Sequence, residues 1–276
     1  MGWAIPGGGS ADAAAEVGYG AWLYDAVHRR RAGPGQESQA ERAYRLLWVK
    51  IVDREIPPLA RLRELDIAAE AQVSRSPVRE AVARLVAEGL LQRDGRSLRV
   101  CVLEPEDVRD LYAYRAVLEC HAARCAARVL SEEVLAEEAA ALAACAAAVH
   151  APSQRSITDW MRADLLLHDR VVQAAGSPRL AAALAQLRGI LGIFQVNGFR
   201  SADNVRASLE EHVEIVAALR RRDADGAAAA MGQHLRSTCE RVLRQELVYV
   251  RRPTASGRRA DPRRGTGASV PSGSGE

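Results

Sequence analysis

Four residues in the C-terminal half of the sequence share one chemistry. Asp164 and His168 stand four apart, so on a helix both side chains leave the same face. His212 sits inside SLEEHVEIVAALRRRDADGAAAA and His234 inside AAAAMGQHLRS, each in mid-segment. The helical spacing turns these positions inward. Three imidazoles and one carboxylate, delivered by three helices, form a donor set for one divalent transition metal per chain, with Zn²⁺ first and Ni²⁺ or Mn²⁺ as alternatives. Taken singly, a histidine is more often a satisfied surface or core residue. His28, His121 and His150 fit no such group. The same donors could instead activate water for hydrolysis, but no general base stands in a matching motif.

A second chemistry lies near residue 75. Arg75 and Arg79 open the segment SRSPVREAVARLVAEG, with Ser74 and Ser76 beside them. An arginine fork matches guanine O6 and N7, or clamps a phosphate. To do this the residues must sit on the first turns of a helix that enters the major groove.

The surrounding pattern supplies such a helix. Tyr44, Leu47, Trp48, Ile51 and Val52 give residues 41–54 one apolar face, and Pro57 and Pro58 end it. A short helix follows over about 64–71, then a turn at Gln72 and Val73. A third helix begins at Ser74 or Ser76, either able to cap it, with Pro77 in its first turn and Gly89 past its end. Leu90 and Leu91, the turn Asp94–Gly95 and the alternating Leu98, Val100 and Val102 form a hairpin that carries Arg93, Arg96 and Arg99. Three helices and a hairpin make a winged helix-turn-helix. The rival reading is a small helical domain with ordinary surface arginines.

From residue 104 onward strand signals vanish. Pro105 opens a helix with Glu106 and Asp107 in its first turn, where acids suit the dipole. Further helices fit 132–148, 157–174, 177–198, 204–221 and 224–250, which makes about six, joined by short loops as in an antiparallel bundle. The fold class is therefore mainly α. Four parts follow: an extension over 1–39 without persistent structure, a winged helix-turn-helix over 40–103, a helical bundle over 104–250, and a disordered basic tail over 251–276.

Composition narrows the rest. Aromatics are 4% of the chain, which favours packed helices over a sandwich. Charge is uneven: 40–103 holds twelve bases against nine acids, while 104–250 holds seventeen against twenty. A basic part beside an acidic one points to one polyanion-binding half. No apolar run is long enough to span a membrane and no secretion signal is visible, so a cytoplasmic protein is expected. Five cysteines without a Cys-x-x-Cys argue against a disulfide framework or a cysteine–zinc cluster; they read as small buried hydrophobes, with a redox switch as the other reading.

The stretch VSRSPVREAVARLVAEGLL, with IVDREIPPLARLRELDIAAEA before it, resembles the DNA-binding motif of the GntR family of bacterial transcription regulators. Leu59 and Gln72 stand where that family usually has glycine. The resemblance implies Arg75 and Arg79 as main DNA contacts, with Arg45 and the wing around Gly95 and Arg96 as secondary ones. The second half resembles the FCD ligand-binding domain of the FadR-like branch, through YAYRAVLE, Asp164-x-x-x-His168, GSPRL and the run from Glu211 to Leu235. Metal-binding members of that branch use an Asp and three His, matched here by Asp164, His168, His212 and His234. Leu167 replaces a usual Phe and Pro178 a usual Asn, neither of them a ligand. Two open positions on an octahedral ion would then take a small carboxylate or hydroxy-acid. Arg115, by the same resemblance, points into the pocket; its other reading is a helix salt bridge to Glu119. Asn197 is a further effector-binding candidate, with Arg200 and Arg206 weaker.

The expectation is a homodimeric DNA-binding transcriptional regulator, a repressor released by ligand, on an inverted-repeat operator. A metal-dependent hydrolase and the same regulator without metal are the rivals.

Overall fold

The computed structural model describes residues 37–95, 97–148, 154–198 and 202–244, without the side chains of 94, 154–157, 188 and 195–198. The extension before residue 37, Arg96, His150, Arg200 and the basic tail lie outside the described residues.

Helix α1 (Gln39–Val52) starts at Ser38, whose Oγ accepts from the Glu41 N–H at 3.1 Å. Its i, i+3, i+4 apolar residues Tyr44, Leu47, Trp48, Ile51 and Val52 are all buried. Helices α2 (Glu64–Ala71) and α3 (Arg75–Ala87) follow, with Val78, Val82 and Leu85 of α3 in the core. Gly89, at φ +75°, lets the chain turn away, and Leu90 N–H closes onto Leu85 O at 2.9 Å.

The hairpin is present as β2 (Leu91–Asp94) and β3 (Ser97–Val100). A strand the alternation does not reveal, β1 (Arg61–Leu62), adds to β3 and gives the antiparallel order β1-β3-β2. Leu98 and Val100 point into the core. Leu59 and Gln72 keep the left-handed turns that glycine favours, at φ +61° and +54°. Arg42 reaches across from α1 and donates to the Ala71 and Gln72 carbonyls at 2.8 Å, which braces the second turn.

Seven more helices complete the described chain: α4 (Pro105–Val129), α5 (Glu132–Ala148), α6 (Gln154–Ala174), α7 (Pro178–Gln186), α8 (Arg188–Gly198), α9 (Ala202–Arg220) and α10 (Ala224–Arg244). Pro105 leads α4, and the Asp107 carboxylate accepts from the Glu104 N–H at 2.8 Å. Alanines 122, 123, 126 and 127 of α4 and 227 of α10 are fully buried, small enough for the packed helices to approach closely.

The single helix expected over 177–198 is two, parted at Leu187, whose N–H bonds to the Leu184 carbonyl at 3.1 Å. The break brings Gly189 against the root of the hairpin. A Cβ there would stand 2.7 Å from Leu90 Cδ1 and 2.9 Å from Glu88 Oε2. Among the described residues no helix is long and apolar enough to cross a membrane.

Candidate metal centre and nucleic-acid interface

Asp164 and His168 come from α6, His212 from α9 and His234 from α10. One donor atom from each lies within 4.8 Å of every other. The imidazole centroids are 4.5–5.4 Å apart. Asp164, His212 and His234 are buried, and His168 is nearly so.

Each ring is held from behind through Nδ1. His212 Nδ1–H donates to the Ser208 carbonyl at 2.6 Å, one turn back on α9. His168 Nδ1–H donates to Glu119 Oε2 at 2.5 Å, and His234 Nδ1–H to Glu211 Oε2 at 2.8 Å. Three acceptors at Nδ1 leave Nε2 with its lone pair in each neutral ring. The two carboxylates are themselves fixed. Arg115 Nε donates to Glu119 Oε1 at 2.7 Å, and Arg241 grips both oxygens of Glu211 at 2.7 and 2.8 Å. Trp160 packs edge-on against His212, with centroids 5.0 Å apart.

His212 Nε2 is a buried nitrogen without a hydrogen-bond partner, although Asp164 Oδ1 lies 3.3 Å away. Burial pushes His212 down to about 4 and, helped by the neighbouring imidazoles, drives His234 well below the usual range. Burial also opposes a charged His168, but the Glu119 carboxylate outweighs it and raises that ring. Glu119 itself, which burial alone would raise, is held well below the carboxylate range by Arg115 and His168. Three imidazoles, two of them held neutral and one of those with an orphaned ring nitrogen, gather with a carboxylate and fit a borderline divalent ion.

The flanking residues divide. Arg115 makes the ion pair with Glu119 and stacks over Tyr112, 5.3 Å from its centroid. Arg206 is exposed and pairs with Asp203 at 3.3 Å, on the solvent side of α9. Asn197 lies in α8 with its side chain outside what is described. Glu211 and Arg241 are site residues that sequence reasoning did not find, and Glu119 entered it only as the salt-bridge partner of Arg115, a pair the structure contains, and not as the brace of His168. Glu119 closes the R-x-x-L-E motif and Glu211 precedes His212, which was the available signal.

On the N-terminal part, Ser74, Arg75, Ser76 and Arg79 are exposed together at the start of α3. Ser74 occupies the N-cap position without a side-chain capping bond. Arg79 Nε lies 3.4 Å from Glu64 Oε2, while Arg93 Nη2 donates to Glu64 Oε1 at 2.7 Å. The bond from Arg93 is the main cause that lowers the Glu64 carboxyl. Arg45 is half-exposed and 4.0 Å from Glu37. Gly95 makes the hairpin tip at φ +56°.

Residues 39–100 match the family model described as bacterial regulatory proteins, gntR family, and residues 110–237 match the FCD domain. The HTH-type transcriptional repressor RspR of Escherichia coli is 29% identical over 209 residues, covering 75% of this chain and 90% of RspR. An uncharacterised HTH-type regulator from the TAR-I ttuE-ttuC' intergenic region of Agrobacterium vitis is 33% identical over 134 residues, covering 48% of this chain and 78% of that protein. E. coli McbR/YncC shares the fold at a TM-score of 0.60 and 20% identity, covering 75% of this chain and 98% of that one.

Proposed function

Since the chain belongs to the GntR family and joins its DNA-binding part to an FCD domain, it is a transcription regulator and not an enzyme, and from that premise we propose how it works. Two copies bind an inverted-repeat operator as a repressor, a sign supported by the relative named as a repressor. Residues 40–103 read the DNA and residues 104–250 bind effector and partner, inside the cytoplasm. Arg75 and Arg79 contact base edges or phosphates, Ser74 and Ser76 contact the backbone, and Arg45, Gly95 and Arg96 add outer contacts.

The effector side of this proposal rests on one observation. Three Nδ1 atoms are tied back, which leaves Nε2 free on each ring of a group whose four donors, Asp164 included, lie within 4.8 Å of one another. Asp164, His168, His212 and His234 would hold one divalent transition ion, Zn²⁺ first. Bound there, the ion would supply Lewis-acid positions for a small carboxylate or hydroxy-acid. The chain does the rest. Glu119 and Glu211 fix the tautomers and orient the rings, and Arg115 and Arg241 hold those carboxylates in place. Arg115 gives Nε to Glu119, and the other edge of its guanidinium can take an anionic effector. Asn197 is the second effector contact.

Effector binding controls DNA binding only if it favours one arrangement of the two halves over the other. The test begins with DNA fragments selected by the purified protein. These are titrated with metal-loaded protein, stripped protein and the double variant His212→Ala/His234→Ala, against a panel of small carboxylates. The expected result is a carboxylate that weakens operator binding by the loaded wild type alone. Equal operator affinity in all three, for every carboxylate, would overturn the effector reading and leave the regulator.

A further inference from the structure

The longest helix among the described residues, α4, turns one face to solvent. On α4, residues 106, 110, 114, 117, 121, 124 and 128 are all exposed, at spacings of three or four. They form one stripe along the helix, about 33 Å long at 1.5 Å per residue. Its centre is apolar: Val117 is 71% exposed and Tyr114 46%. Its N-terminal end is acidic, with Glu106 and Asp110, and its C-terminal end is basic, with Arg124 and Arg128.

This order is self-complementary under a twofold axis. Lay a second α4 antiparallel across the first, with Val117 on the axis. Asp110 then meets Arg124 of the second copy, and Glu106 meets Arg128, twice each by symmetry. Tyr114 lies near the axis and covers the apolar centre on both sides. The helix dipoles oppose favourably in the same arrangement. A partner of other sequence would need an acid-to-base gradient of its own to match. A second copy of this chain has it.

The charges are available for the purpose. Glu106 pairs within its helix with Arg109 at 3.2 Å, and Arg124 gives Nε to Asp225 at 3.0 Å, both in exposed positions where an ion pair is weak and easily shared.

We infer that the exposed face of α4 is the twofold interface of the homodimer, formed by antiparallel α4 pairing about Val117. The inference rests on the dimeric reading above and gives it a surface. Dimerisation here sets the distance between the two recognition helices, because α4 follows directly on the winged part.

The test is the dissociation constant of the full chain by sedimentation equilibrium, without DNA, for wild type, Val117→Asp, Asp110→Arg, Arg124→Asp and the combined swap. All three positions are exposed, and far-ultraviolet circular dichroism checks that each variant folds. Wild type should be a dimer and Val117→Asp a monomer. Each single charge reversal should weaken the dimer about ten-fold or more, and the combined swap should recover most of that loss. An unchanged constant in Val117→Asp would overturn the interface, as would a swap that recovers nothing. A wild-type monomer would overturn it too, since the face would then be covered from within the chain. Mass is read in the absence of metal and operator, so a failed effector experiment leaves this result standing.

Discussion

At the scale of single residues, Glu64 has two arginines in hand. It touches Arg79 at the start of α3 and Arg93 on the hairpin, so under the proposed mode of binding one carboxylate competes with DNA for both. Glu64→Gln should release them and raise the charge of this surface. DNA affinity should increase several-fold, more for nonspecific than for selected fragments, with a steeper fall as salt rises. A titration at two salt concentrations checks this, and weaker binding would show instead that Glu64 positions Arg79 productively. Around the metal centre the same argument reaches Glu119. Glu119→Gln should leave all four donors present but loosen His168, and lower Zn²⁺ affinity about 10- to 100-fold in a competition titration with a chelator. Equal affinity would mean that the ring needs no brace. The four donors were legible because i, i+4 spacing and mid-helix register depend only on local sequence. The braces were not. His168 and Glu119 are 49 positions apart, and Arg241 reaches Glu211 over 30. Such pairs exist only once helices pack, and Glu211 serves His234 on another helix rather than its neighbour His212.

At the scale of elements, two turns and one helix pair carry measurable strain. Leu59 and Gln72 hold left-handed backbone with a side chain attached, at about 1 kcal/mol each. Both are exposed, so little packing is lost on removal. Leu59→Gly and Gln72→Gly should each stabilise the protein by roughly 0.5–1 kcal/mol, read as a Tm higher by about 1–4 °C. A lower Tm would mean that the turns are not left-handed in solution. Between α5 and α6, burial pushes Glu138 up to about 7, against the pull of Arg170. Arg170 Nη1 lies 2.9 Å from its Oε1, an ion pair that burial outweighs. The ordinary value is 4.5, so between about 4.5 and 7 the folded chain keeps a proton that the unfolded chain gives up. Stability from this group is therefore present below that window and lost as pH rises through it. Glu138→Gln should gain Tm over wild type progressively from pH 5 to pH 8, and a pH-independent difference would refute the assignment. Of the elements, the long helices were plain from periodicity. Strand β1 was hidden because two residues cannot show alternation, and the break at Leu187 because the contact it serves, Gly189 against Leu90, spans about a hundred positions in sequence.

At the scale of the whole molecule, the candidate metal centre and the proposed DNA-reading surface are joined by two structural links among the described residues. One is the chain itself, from the hairpin into α4, which carries Arg115 and Glu119 and, beyond them, the stripe about Val117. The other is α8 against the winged part, where the Gly189 backbone fills the contact with Leu90 and Glu88. In the proposed mechanism, an effector that moves α4 relative to α6, α9 and α10 changes both links, and through them the spacing of two recognition helices. Every step of that route presupposes a metal at the centre. Elemental analysis of the purified, untagged protein, beside His212→Ala/His234→Ala, tests this most directly. The account predicts about one transition-metal ion per chain in the wild type and none in the double variant. No metal in either protein, even after Zn²⁺, Ni²⁺ and Mn²⁺ have been offered, would contradict it.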